Sequence, residues 1–188
     1  MIRSGATLES PAAGLRLVFR RTSLQTGGRA VVFEVFLEPN GHVLALHVHP
    51  RQEERVQVLA GSVGAHVGQR RSVVGPGARL SVAAGEPHRL WNAGDETAHL
   101  VVEVRPALRF ESLVETLFTL AAEHGTGTRG ARGLLRLAVV AAAHFDTIRL
   151  PFPPVAVQRL ALALAAPVGR TLGYRSVYEP ARPAGAAS

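Results

Sequence analysis

Residues 41–54 read GHVLALHVHPRQEE, in which the pair His47 and His49 is followed by two adjacent glutamates. His47 and His49 are two positions apart at the end of a predicted strand, 43–48, so both imidazoles are expected on the same face of a sheet. Glu54 follows a short turn that begins at Pro50, and its even parity with Val56 and Val58 directs it to the same interior. This stretch therefore predicts a cluster of metal-ligand side chains inside a β-structure.

A fourth candidate comes from a distant glycine-rich segment, Gly85-Glu86-Pro87-His88. Three neutral imidazoles and one carboxylate form a suitable ligand set for a divalent ion of hard-to-borderline character. Strands hold such side chains stiffly, as a preorganised site requires. Glu53 is the competing carboxylate, and the parity argument favours Glu54 over it.

The composition excludes several other kinds of site. The 188 residues include no cysteine and a single methionine, so disulfides, thiolate metal sites and cysteine nucleophiles are ruled out. The net charge is +7 and all 21 cationic side chains are arginine, but they are scattered rather than clustered. We therefore expect no nucleic-acid partner. The start of the chain lacks a signal-peptide core and no apolar tract reaches membrane-helix length, so a cytoplasmic protein with no membrane partner is expected.

Two textures divide the chain. Short β-branched runs punctuated by glycine extend from about residue 15 to residue 107 and predict an all-β sandwich or barrel. The predicted strands are 31–37, 43–48, 55–59, 63–67, 79–82 and 100–104. No helical segment of 10–15 residues interrupts them, which disfavours a βαβ arrangement.

After Pro106 the apolar residues recur at helical spacing and predict about three helices. The first begins near Phe110 and is capped by Gly125, and a glycine-rich connector follows over 125–133. The second, 134–145, is apolar all round and predicted to be buried. The third opens at Pro154 and is predicted to end at Pro167. The predicted organisation is an N-terminal arm (1–14), a β-barrel (15–108), a helical extension (109–180) and a disordered tail (181–188).

At this point the residues resemble the cupin family. The first cupin motif is matched at its defined positions, which are Gly41, His47, His49, Glu54 and Gly61. The second motif is matched at Gly77, Gly85, His88 and Asn92, with Ala83 at the position where the family usually has proline. The segment between the motifs, 62–76, fits the compact cupins of prokaryotes. The resemblance implies a mostly β fold, the cupin double-stranded β-helix or jelly-roll-like barrel, followed here by the C-terminal α-helices.

The resemblance also implies a metal centre. Its ligands would be His47, His49, Glu54 and His88, holding Fe, Mn, Zn or Ni; the sequence does not choose among these ions. Four protein ligands on an octahedral ion leave about two positions open for a small-molecule substrate or ligand. The function expected first is a metal-dependent dioxygenase or oxidoreductase, with Glu53 or Glu103 as candidate general bases. An isomerase or lyase and a non-catalytic ligand-binding or sensing module are the alternatives. Small cupins of this kind also imply a homodimer.

For some side chains the sequence leaves more than one location possible. His99, Glu103 and Arg105 share one face of the last strand, which is either a polar cavity wall or a wet outer face. Trp91 has the opposite parity to His88 and is expected outside the barrel, whereas Asn92 is expected to brace a turn. The apolar surface of the second predicted helix must pack against another surface, which could be the barrel's outer face, the barrel mouth or a second subunit.

Overall fold

The structure, a computed structural model that describes residues 2–123 and 130–178, is a sandwich of two antiparallel β-sheets followed by helices. Its strands are β1 (Thr7–Ser10), β2 (Leu15–Arg21), β3 (Val31–Leu37), β4 (His47–Val48), β5 (Glu53–Ala60), β6 (Val63–Val67), β7 (Arg70–Val74), β8 (Arg79–Val82), β9 (Pro87–Asn92) and β10 (Ala98–Arg105). Its helices are α1 (Ser23–Thr26), α2 (Phe110–Ala122), α3 (Gly130–Ala143) and α4 (Val155–Thr171).

The two sheets have different sizes. The six-stranded sheet has the order β1-β2-β3-β10-β5-β8, and the four-stranded sheet has the order β4-β9-β6-β7. This architecture is the one that the family resemblance implied. Strand β1 lies within the predicted N-terminal arm and pairs with β2, so it extends the six-stranded sheet at its edge.

The core between the sheets follows from period-two alternation along the strands. Every second residue of β3 is buried, from Val31 to Leu37, and the intervening ones are only partly covered. Strand β10 repeats the pattern, and Val63, Ala65 and Leu90 supply the opposing layer from the four-stranded sheet. Fully burying one such side chain contributes about 1.5–3 kcal/mol, so this layer is the main source of the sandwich's stability.

Residues 43–46 depart from the predicted strand. His47 and Val48 form the two-residue strand that pairs with β9, whereas His42 makes only an isolated bridge to Trp91. Between them the chain bends, and the Ala45 carbonyl accepts a hydrogen bond from the His47 ring. The side chains of Leu44 and Leu46 are thereby free to face the helices rather than a neighbouring strand.

The C-terminal helices differ from the predictions in two respects. Helix α3 is not buried all round, since Leu134 is 67% exposed and only the side that carries Val139 and Val140 is covered. Helix α4 begins directly after Pro154 but continues past Pro167. Proline at that position removes one backbone donor. The helix nevertheless continues, because its next turn packs closely against α3: a Cβ added at Gly169 would lie 2.6 Å from Val139 Cγ2. The predicted cap at Gly125, most of the glycine-rich connector and the predicted tail at 181–188 lie outside the described residues.

Helix α2 covers one end of the sandwich. The Phe110 ring stacks on Phe33 with 5.2 Å between the ring centroids, and Leu113 and Val114 are buried beside it. The Glu111 carboxylate accepts hydrogen bonds from the backbone amide and the hydroxyl of Ser23, which anchors the helix at its first turn. Those α2 side chains lie over the barrel mouth. The second predicted helix, α3, for which three covers were considered, instead packs against α4.

Asn92 braces the turn between β9 and β10, as its motif position predicted. Its amide nitrogen donates to the carbonyls of Leu37 and Glu96, and its side-chain oxygen accepts from the amide of Gly94. Asn92 is 4% exposed, so water cannot replace these bonds.

We therefore expect Asn92→Ala to lower the free energy of unfolding by about 1–3 kcal/mol per buried group left unsatisfied. Urea titration followed by circular dichroism measures this change. The matched control is Gln69→Ala, an exposed turn residue whose loss is expected to stay within about 0.5 kcal/mol. Equal midpoints for the two variants would show that the Asn92 bonds contribute nothing.

Candidate metal centre

Three histidines meet between the two sheets. His47 on β4 and His88 on β9 are direct cross-strand partners, and His49 follows β4 by one residue. Their ring nitrogens offer one atom each, all within 4.8 Å of one another, and the rings are at most 6% exposed. The two-residue spacing and the second-motif position thus place these side chains together.

Glu54 reaches the same cluster from the opposite sheet. It lies on β5 of the six-stranded sheet, and its Oε2 is 3.6 Å from the Nε2 atoms of both His49 and His88. An ion bonded to ligands at about 2.1 Å would separate neighbouring ligand atoms by roughly 3–4 Å. The Glu54 carboxylate therefore lies at ligand spacing from His49 and His88, while the group whose ligand atoms all lie within 4.8 Å of one another consists of the three histidines.

Glu53 faces away from this cluster. Its carboxylate accepts hydrogen bonds from Arg55 and from the Ser81 hydroxyl on the outer surface, and the Arg55 guanidinium holds the pKa of Glu53 below its ordinary value. The parity argument that favoured Glu54 over Glu53 agrees with this placement.

Backbone carbonyls set the tautomer of all three rings. The Nδ1 atoms of His47, His49 and His88 lie 2.8, 2.6 and 3.1 Å from the carbonyl oxygens of Ala45, Thr147 and Glu86. A carbonyl only accepts, so each neutral ring carries its hydrogen on Nδ1 and keeps a lone pair on Nε2. His88 Nε2 is buried and has no hydrogen-bond partner. Histidines that bind metal ions usually donate their other ring N–H to a carboxylate or backbone carbonyl, so the donor set fits a divalent ion.

The electrostatics favour the deprotonated states of His47 and Glu54. Burial, helped by the neighbouring His88 and His49 rings, lowers the pKa of His47 to about 3. Burial raises the pKa of Glu54, but the two adjacent imidazoles outweigh it and bring the pKa below its ordinary value. At neutral pH a neutral imidazole and an ionised carboxylate are therefore ready to bind a cation.

His88 behaves differently from His47. Burial lowers its pKa, but the Glu54 carboxylate, together with the backbone carbonyl and the charge of Glu86, raises it by more, so the net shift is upward. Metal binding at this pair therefore competes with a proton.

A small apolar cavity, the inner cavity, adjoins the cluster. Its volume is about 60 Å³, and His47, His49 and Glu54 line it together with barrel residues and α2 side chains such as Leu117 and Phe118. Those three are the only ionisable side chains in its described wall.

A larger pocket, the outer pocket, lies between the loop at 44–46 and the helices. Its volume is about 450 Å³, and its wall includes side chains of α2, α3 and α4. It shares Leu44, His47, Leu113, Leu117 and Ile148 with the inner cavity, so the two spaces adjoin at His47.

The polar side chains for which the sequence allowed either a cavity wall or an outer face lie on an outer face. His99 stacks on Phe36 and its Nε2 is 3.2 Å from the Glu34 carboxylate, while Glu103 accepts from Arg105. The buried residues of the same strand point the other way. Trp91 packs over Gly64 on the outer side of the four-stranded sheet, as its parity predicted.

Sequence reasoning missed the role of Thr147. The segment after α3 returns to the barrel, where Val48 and Arg149 exchange two backbone hydrogen bonds and the Thr147 carbonyl reaches His49. A backbone carbonyl has no side-chain signature, and only the return of the chain to the edge of β4 reveals it.

Comparison with known proteins identifies the β-region. Residues 33–104 match a family model described as "Cupin domain". No curated protein matches the chain. Within the described residues, no helix is long and apolar enough to cross a bilayer.

Several solved structures are similar to this chain. One, described as a predicted oxalate decarboxylase from Thermotoga maritima, is 18% identical with a TM-score of 0.47, and the match covers 49% of this chain and 80% of that chain. An RmlC-like cupin from Shewanella frigidimarina is 15% identical with a TM-score of 0.48, covering 55% and 86%. A sugar phosphate isomerase of the cupin superfamily from Silicibacter pomeroyi is 26% identical with a TM-score of 0.44, covering 49% and 59%.

Proposed function

Because residues 33–104 of this chain form a cupin domain, we propose that His47, His49, Glu54 and His88 bind one divalent metal ion for work on a small organic molecule. The observation that carries this proposal is the tautomer arrangement, in which three Nδ1 atoms donate to backbone carbonyls and the ring lone pairs converge. A bound ion would supply Lewis acidity and about two open coordination positions.

The reaction we propose is a dioxygenation. Proton transfer from carbon needs a general acid or base within hydrogen-bond reach of the substrate. In the described wall of the inner cavity the ionisable groups are His47, His49 and Glu54, all of them proposed ligands. Glu53 and Glu103, the candidate bases, instead pair with arginines on outer faces. This favours a reaction that depends on the metal and dioxygen over an isomerisation in which a protein base moves a proton.

The chain's own residues have three tasks in such a reaction. Thr147, Ala45 and Glu86 orient the imidazoles through their carbonyls. Glu54 contributes the anionic charge that balances the ion. Helix α2 closes the barrel mouth and keeps bulk water from the inner cavity, which strengthens every electrostatic interaction there.

Oxygen-electrode measurements test this activity. We expect the Fe(II)-loaded chain, under reducing conditions, to consume oxygen faster with a panel of small carboxylic acids and ketones than with metal alone. Glu54→Gln is expected to lose that increment, whereas Glu53→Gln, its outward-facing neighbour, is expected to keep it. Saturable ligand binding with no uptake would instead identify a non-catalytic binding module. Anaerobic turnover with manganese or zinc would identify an isomerase or lyase.

A further inference from the structure

The wall of the outer pocket is almost entirely apolar, although the pocket adjoins the proposed metal centre. Of its described lining residues, Arg149 is the one with an ionised side chain, and Gln158 is the other long polar residue. The Gln158 amide nitrogen already donates to the carbonyls of Leu150 and Pro153. The remaining lining side chains are almost all aliphatic or aromatic.

We infer that the outer pocket binds an apolar small molecule with a single anionic or oxygen-bearing head group, oriented with that head toward His47. Its volume of about 450 Å³ lies within the range of roughly 300–1,000 Å³ that is common for small-molecule sites. The approach of the head group to an ion rests on the function proposed above; the apolar selectivity of the pocket does not.

The wall chemistry selects against polar compounds. A buried hydroxyl without a partner costs about 1–3 kcal/mol, and a sugar or sugar phosphate would bury several. A compact dianion would desolvate two charges against a wall that offers one guanidinium. An aliphatic or aromatic body leaves no polar group unpaired on entry and gains roughly 25 cal/mol for each Å² of apolar surface removed from water.

The orientation follows from the position of the polar groups. The outer pocket meets the inner cavity at His47, and the inner cavity leads on to His49 and Glu54. Arg149 belongs to the segment whose backbone pairs with Val48 beside this junction. Leu137 of α3 and Ala161 and Leu162 of α4 contribute only apolar side chains to the pocket.

Helix α4 provides a matched pair of variants for the test. Ala161 lines the outer pocket, whereas Ala156, one turn and a half nearer the start of the helix, does not, and both are exposed. Trp at position 161 would occupy the pocket without disturbing a buried contact. Trp at position 156 introduces the same surface change away from it.

Isothermal titration calorimetry of the full chain with decanoate, oxalate and glucose 6-phosphate tests the inference. We expect saturable binding of decanoate, at least tenfold weaker binding in Ala161→Trp, and less than a twofold change in Ala156→Trp. Oxalate and glucose 6-phosphate are expected to bind at least tenfold more weakly than decanoate. Equal effects of the two tryptophans, absence of decanoate binding by the folded chain, or equal affinity for the polar compounds would overturn the inference.

Comparing metal-loaded with metal-free protein separates this inference from the proposed function. Decanoate is expected to bind both forms and to bind the loaded form more tightly. Equal affinities in a chain shown to hold the ion would refute the approach of the head group to the metal. A chain that takes up no ion but still discriminates decanoate from glucose 6-phosphate would refute the metal function and leave the pocket assignment standing.

Discussion

His88→Ala is expected to abolish stoichiometric binding of a divalent ion by the folded chain. The buried His88 Nε2 lies 3.6 Å from the Glu54 carboxylate, and within the described residues the metal-candidate group consists of His47, His49 and His88, so its loss leaves only two imidazoles there. Loss of an outer-sphere partner already lowers metal affinity by about 10–100-fold, and loss of a direct ligand is expected to exceed about 100-fold. Elemental analysis after equilibrium dialysis measures the bound ion per chain.

Two further variants belong in the same experiment. Glu54→Gln keeps the shape of the side chain but removes its charge, and an intermediate loss is expected because an amide oxygen is a weaker ligand. His66→Ala is the matched control, since His66 lies on β6 with the opposite parity to the buried Val63 and Ala65. Full metal content in His88→Ala, or equal loss in His66→Ala, would show that the ion binds elsewhere.

Deleting residues 110–188 is expected to yield aggregated protein. The deletion exposes the barrel mouth and removes the buried Phe110, Leu113 and Val114. Each such side chain is worth about 1.5–3 kcal/mol. Together they approach the whole stability of a typical domain, which is about 5–15 kcal/mol.

The truncation also removes the carbonyl of Thr147 that orients His49, so any folded fraction is expected to bind metal poorly. Size-exclusion chromatography and metal analysis follow both effects. A chain that ends at Tyr178 is the control, because it retains every described contact, and we expect it to stay monodisperse. A monodisperse truncation at residue 109 with full metal content would contradict this account of the extension.

Much of the barrel could be predicted because the alternation of buried and exposed residues along its strands also determines which site residues face inward. Alternation placed the strands at 31–37, 63–67 and 79–82 within the bounds that the structure shows. The same parity put His47, His49 and Glu54 on the inner side and Glu53 on the outer side. The face on which a strand residue lies depends only on its spacing from its neighbours along the chain, so it can be predicted from the sequence.

The arrangement of the extension could not be predicted in the same way. The exposure of Leu134 and the continuation of α4 through Pro167 depend on which helix faces α3 contacts, and that packing is non-local. The Thr147 carbonyl and the junction of the two cavities at His47 arise where the chain returns to β4 after a hundred residues or so. The homodimer and the cytoplasmic location remain predictions.

The most direct test of the metal centre is an anomalous-difference map from crystals of the chain grown with Mn(II), Fe(II) or Zn(II). We expect one strong peak between the sheets, about 2.0–2.3 Å from the Nε2 atoms of His47, His49 and His88 and from a carboxylate oxygen of Glu54. A peak at other side chains, or an ion-loaded crystal with no peak between these four, would contradict the account.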